Sequence, residues 1–198
     1  MKMRKKLSVL AAAVLATLTA PALQAQGFYV GAGVGQSDFR DACDGLADIG
    51  LSCDDTDTGW KLFGGFQFTP NWGVEAFYAD LGEASVSGTV LGLPAAEKVS
   101  VDGFGIAGTA TWPIGDRFGV FGKLGVFRWS LDDRATLGGV SFALDDNGTD
   151  LMAGLGARYA FTEQFGVRLE WERFFNVGNS NTGDSDIDLF TVGATFSF

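Results

Sequence analysis

The sequence predicts an all-β chain that folds as an antiparallel up-and-down barrel, and three observations carry that expectation. Apolar residues alternate with small or charged ones at a period of two through most of the chain. The composition sets 29 glycines and 13% aromatic residues beside only four prolines, a mixture that disfavours helices. An aromatic-Gly-Val triplet recurs as Trp72-Gly73-Val74, Phe118-Gly119-Val120 and Phe165-Gly166-Val167, at nearly constant spacing.

In chain order the first element is a leader, not a strand. Lys2, Arg4, Lys5 and Lys6 precede an uncharged apolar run from Leu7 to Leu18, which reads as a cleavable signal peptide over residues 1–25. Leu23-Gln24-Ala25 places the cut after Ala25, leaving 26–198 as the barrel domain. A membrane-anchoring helix is the competing reading, but the run is short for a bilayer core of roughly 30 Å. Cleavage removes four of the 14 basic residues and none of the 24 acidic ones, so the mature chain has a formal charge of −14 and repels nucleic acid. The sequence contains no histidine, which excludes Ser-His-Asp hydrolysis and His-based zinc chemistry.

The strands follow from their alternation. Trp60, Leu62, Gly64, Phe66 and Phe68 form one face whose reverse is Lys61, Phe63, Gly65 and Gln67. Leu151, Ala153, Leu155, Ala157, Tyr159 and Phe161 oppose Met152, Gly154, Gly156 and Arg158, and Phe165, Val167, Leu169 and Trp171 oppose Gly166, Arg168, Glu170 and Glu172. Each triplet follows a tight connection, at Thr69-Pro70-Asn71, at Pro113 to Arg117 and at Thr162 to Gln164. Eight strands are expected, near 27–37, 58–68, 72–82, 98–112, 118–131, 149–161, 165–175 and 187–198. Between them lie long polar or Gly-rich connections near 38–57, 83–97, 132–148 and 176–186. Short turns at one end and long loops at the other are the pattern of an eight-stranded antiparallel up-and-down transmembrane β-barrel. Phe28, Phe68, Trp72, Trp112, Tyr159, Phe161 and Phe165 gather at the turn end, where aromatic rings favour a lipid interface. A soluble, lipocalin-like binding barrel would turn the same apolar face inward.

On these residues the chain resembles the eight-stranded transmembrane domain of the OmpA-like outer-membrane proteins, in the small-porin group. The likeness extends to the opening Gly27-Phe28-Tyr29-Val30-Gly31-Ala32-Gly33-Val34-Gly35 and the ending Phe190-Thr191-Val192-Gly193-Ala194-Thr195-Phe196-Ser197-Phe198. It implies the outer membrane of a Gram-negative bacterium, contact with its lipids and lipopolysaccharide, a monomer and no cofactor. It also implies that Phe190, Val192, Phe196 and Phe198 are read by the barrel-assembly machinery. Because the chain stops at Phe198, the peptidoglycan-binding domain of longer relatives is expected to be absent, and no wall-anchoring role is carried over.

The inward face carries Lys61, Glu75, Lys123, Arg158, Arg168, Glu170 and Glu172. Buried charges persist only when paired, so an ionic network across the lumen is expected, with Arg158 and Arg168 reaching Glu75, Glu170 or Glu172. Such a network either fills the barrel or gates a narrow pore for ions or small solutes. Cys43 and Cys53 share the first long loop of an exported chain and are expected to form a disulfide. Their spacing fits neither a redox pair nor a zinc site. Asp38, Asp41, Asp44, Asp48, Asp54, Asp55 and Asp57 make that loop acidic, as Asp132, Asp133, Asp145 and Asp146 make the third. Neither has the spacing of an EF-hand. These acids read as solvated loops that bridge at most loosely, through divalent ions, to lipopolysaccharide phosphates.

No catalytic constellation is present, and enzymatic small barrels rely on a histidine this chain does not have. The leading expectation is therefore a non-enzymatic barrel with a structural or surface-interaction role through its acidic loops. The gated pore and the soluble binder follow it.

Overall fold

A computed structural model describes residues 27–40, 42, 43, 46, 50–179 and 183–198. The expected signal peptide, its cut after Ala25, and Asp41, Asp44 and Asp48 lie outside the described residues. Among the described residues nine strands follow in order: β1 (Gly27–Phe39), β2 (Ser52–Asp54), β3 (Thr56–Gln67), β4 (Trp72–Val90), β5 (Leu93–Ile114), β6 (Phe118–Leu137), β7 (Val140–Ala160), β8 (Phe165–Asn179) and β9 (Gly183–Ser197). All pairings are antiparallel, β1 pairs with both β3 and β9, and β4 pairs with β5. With the short β2 set aside, eight strands close into a ring, which removes the free edges that a bilayer does not tolerate.

The period-two pattern decides which face meets which environment. Phe28, Val30, Val34, Leu62, Phe104, Ile106, Leu124, Leu151, Leu155, Leu169 and Val192 all stand exposed on the outer wall. That outward apolar band overturns the soluble-binder alternative, which needs the same side chains inside. At the short-turn end, Thr69 Oγ1 accepts hydrogen bonds from the N–H groups of Asn71 and Trp72, at 3.3 and 3.0 Å. Thr162 Oγ1 does the same for Gln164 and Phe165, at 3.2 and 2.9 Å. Thus two of the three aromatic-Gly-Val triplets open from the same hydroxyl-capped turn.

The opposite end differs from expectation. The segments read as long loops near 83–97 and 132–148 are continuations of β4 to β7, joined by two-residue turns at Leu91-Gly92 and Gly138-Gly139. Those four residues have φ of 52°, 82°, 57° and 87°, the left-handed pair that a tight hairpin with native twist requires. The segments near 38–57 and 176–186 also contribute strand, in β2 and in the upper parts of β8 and β9. At 22, 20 and 21 residues, β5, β6 and β7 are about twice the roughly 10 residues a tilted strand needs to cross a bilayer. Their upper halves form a raised wall.

Inside, cross-strand pairs set aromatic rings over glycines. Phe63 faces Gly31, Phe77 faces Gly105, Phe121 faces Gly156 and Trp129 faces Gly148, each directly across a ladder. A Cβ at any of these glycines would fall within its partner ring.

Candidate functional site

The charged side chains meet midway along the lumen. Glu75 comes from β4, Lys61 from β3, Lys123 from β6, and Arg168, Glu170 and Glu172 from β8, all from inward positions of their strands. Lys61 Nζ lies 2.8 Å from Glu170 Oε2 and 2.6 Å from Glu172 Oε2, with Glu75 Oε1 at 3.9 Å. Lys123 Nζ lies 2.9 Å from Glu75 Oε1 and 2.7 Å from Glu172 Oε1, and also contacts Glu170. Arg168 spends Nη1 on Glu75 Oε2 at 2.7 Å and Nη2 on Glu170 Oε1 at 2.8 Å. Its guanidinium lies between the rings of Phe63 and Phe121, 4.3 and 4.5 Å from their centroids. Three cations and three carboxylates cancel, so the layer is buried without net charge, the condition under which buried ions are tolerated.

Arg158 stands outside this layer, contrary to expectation. It faces the lumen at the short-turn mouth, above Gly119, and among the described residues no carboxylate lies within ion-pair distance of it. The β7 position level with the network is Gly154, whose Cβ would meet Glu172 Cγ at 3.1 Å and Lys123 Cε at 3.2 Å. A fourth cation would also have no balancing carboxylate. In its place Tyr29, not singled out from the sequence, donates its hydroxyl to Glu75 Oε2 at 2.9 Å. Its inward parity on β1 was the available signal.

Above the ionic layer lies a second seal that the sequence reading did not anticipate. Phe77, Phe127 and Phe174 pack with centroids 4.5 to 6.3 Å apart. Met152, Leu189, Ile187, Leu81, Ala79 and Val101 surround them, each almost fully buried. The outer half of the lumen is therefore a packed apolar core.

At the rim above the outer band, Arg173 forks Asp188, with Nε on Oδ1 at 2.7 Å and Nη2 on Oδ2 at 2.8 Å, and Arg40 Nε adds a bond to Oδ2 at 2.7 Å. Burial alone would push the Asp188 carboxyl up, but these bonds outweigh it and hold it below the usual carboxylate range. Cys43 and Cys53 are joined in a disulfide. Along the hairpins, strand alternation sends neighbouring aspartates to opposite faces, and among the described residues no three acids converge on a metal position. Phe196 packs against Phe165 and Phe198 at the base of the wall.

A family model described as the OmpA-like transmembrane domain matches residues 23–198. The chain belongs to that family. Outer membrane protein A of Shigella flexneri is 29% identical over 191 residues, covering 95% of this chain and 53% of the relative. The chain thus spans about half the length of the curated relatives it matches. OprG from Pseudomonas aeruginosa superposes with a TM-score of 0.60 at 18% identity, over 88% of this chain and 96% of OprG. Ail of Yersinia pestis gives 0.58 at 17%, over 88% and 99%. At these identities the likeness to the solved structures is one of fold. The OmpA-like barrel is an outer-membrane protein of the Gram-negative type, its short turns on the periplasmic side and its raised hairpins outside.

Proposed function

We propose that this OmpA-like barrel is a sealed, non-enzymatic anchor that acts at the cell surface through its raised hairpins. The observation that carries the reading is the pair of seals in series, a neutral ion-pair layer below and the Phe77, Phe127 and Phe174 core above. Opening a channel requires breaking both at once, which disfavours the gated pore. What remains exposed to the outside is the wall of β4 to β7, standing clear of the lipid band. A solved structure of Ail holds a heparin analogue, sucrose octasulfate; the acidic hairpins here suit a partner of the opposite charge. Assembly of the barrel would use Phe196 and Phe198 of the last strand as its recognition signal, and lipopolysaccharide would contact the outer wall below the hairpins.

The test is single-channel recording of the mature protein in a planar bilayer, with insertion confirmed by faster migration of the unheated sample on a gel. Inserted protein that stays electrically silent is the expected result. Discrete conductance steps in the wild type would overturn the sealed-anchor reading.

A further inference from the structure

The ladder on β7 is unequal on its two sides. β7 pairs with β6 along its whole length, from Leu137↔Val140 to Phe118↔Tyr159, but with β8 only from Met152 to Ala160. From Val140 to Leu151 one side of the strand therefore has no pairing partner among the described residues, and every second residue turns its N–H and C=O outward. The cause lies in β8. Immediately above its last pair with β7, the β8–β9 ladder shifts register between Phe174 and Val177, with Asn176 at φ 50° donating its N–H to Asp186 Oδ1 at 3.0 Å. That bulge ends the pairing with β7.

The other edge of the raised wall is treated differently. β2 pairs Ser52–Asp54 with Ser85–Ser87 of β4, and the Cys43–Cys53 disulfide ties that short strand down. An exposed edge is ordinarily blunted by charged residues, proline or a bulge, and the charges on the β7 edge, Asp145, Asp146 and Asp150, are all acidic. Val140 to Leu151 contains no lysine and no proline, and its register with β6 is unbroken. Its side chains are also ready for a neighbour: Val140, Phe142 and Leu144 share one face and are 58%, 58% and 56% exposed, continuous with Leu137, Leu93 and Val90.

The charge beside this edge selects the occupant. Asp146 and Asp150 share the face of Val140, Phe142 and Leu144, as does Asp133, directly across from Leu144 with a buried carboxylate oxygen that has no hydrogen-bond partner. The opposite face is balanced, with Asp145 and Asp132 against Arg134 and Arg128, so the net acidity belongs to the apolar face. A second copy of the chain would bring the same acids against these, and a sulfated polysaccharide would be repelled. We propose that the β7 edge from Val140 to Leu151 accepts an extended basic segment of a partner protein by strand addition. Main-chain bonds supply the affinity, alternate apolar residues cover Val140, Phe142 and Leu144, and further along the same face lysine or arginine meets Asp146 and Asp150. The proposal rests on the surface reading above and names its partner class.

Backbone hydrogen exchange of the mature protein in lipid nanodiscs tests it, with a twelve-residue valine–lysine peptide as probe, in which every second residue is threonine and the residues between are lysine in the N-terminal half and valine in the C-terminal half, the order antiparallel addition requires. The controls are a valine–glutamate peptide and an N-methylated valine–lysine peptide that cannot pair. The outward-facing amides of 140–151 should exchange fast in the free protein and slow by about tenfold or more with the valine–lysine peptide alone. Phe142→Lys with Leu144→Lys, both exposed positions that leave the heat-modifiable band intact, should abolish the protection. Protection already present in dilute free protein, or appearing only as protein concentration rises, would overturn the proposal, the latter in favour of self-association. Binding without protection, or protection by the N-methylated peptide, would overturn it as simple charge attraction. Protection confined to the β8–β9 hairpin would sink the edge proposal while leaving the surface reading standing, because that reading falls only on the conductance result.

Discussion

Each charged side chain in the lumen is tolerated because its neighbours cancel it, so its removal costs more than the contact it makes. Lys123→Met should destabilise the barrel by about 3–5 kcal/mol, because Glu75, Glu170 and Glu172 then share two cations in a dry layer. Arg158→Met, at the mouth and without a carboxylate partner, should change stability by less than about 0.5 kcal/mol. Urea midpoints of the heat-modifiable gel band compare the two, and equal losses would contradict the placement of Arg158. Gly105→Ala should cost about 1–3 kcal/mol, since its Cβ would occupy the Phe77 ring. Parity alone told which residues face inward, including Lys61, Glu75 and Arg168. It does not tell their height along the barrel axis, which depends on strand register, so parity alone cannot separate Arg158 at the mouth from the network level with Gly154.

At the scale of elements, the outer rim is held by two local clasps. Reducing the Cys43–Cys53 disulfide, or replacing Cys53 with serine, should release β2 and expose the β4 edge at Ser85–Ser87. The loss is local, about 2–3 kcal/mol by loop-entropy reasoning, and is read as faster amide exchange there with an unchanged gel shift. The second clasp is Arg173–Asp188–Arg40. The Asp188 carboxyl is held below its ordinary value when folded, so its contribution is present above about pH 4 and is lost as pH falls through the folded value. Amides at the top of β8 and β9 should lose protection upon acidification before the barrel below opens, and Asp188→Asn should remove that pH dependence. The hairpin tips show where reading by element fell short. Gly138-Gly139 is a strong two-residue turn signal, but the strands it joins run well past the roughly 10 residues a bilayer crossing needs, so membrane thickness alone predicts loop there.

For the whole molecule, function follows from two different layers being stacked in one tube. Glu75→Ala removes part of the lower seal and Phe127→Ala part of the upper, and each alone should leave an inserted barrel electrically silent. Only the combined variant should show conductance steps in a planar bilayer; steps in either single variant would mean that the layer left intact does not close the lumen by itself. On the sealed-anchor proposal, the exposed chemistry of the protein is concentrated on the raised wall.

The amino-acid order by itself determined the all-β class, the count of eight barrel strands, the outward apolar band and the identity of the inward charges. All of these are encoded in a period of two and in turn residues, which are properties of adjacent positions. The tertiary structure alone decided the depth of each inward side chain, the aromatic seal above the ion pairs, the exclusion of Arg158 and the open flank of β7. Those depend on which residue of one strand stands across from which residue of another. Register is set by closure of the whole ring and by the bulge at Phe174–Val177, and no local stretch of sequence contains that information.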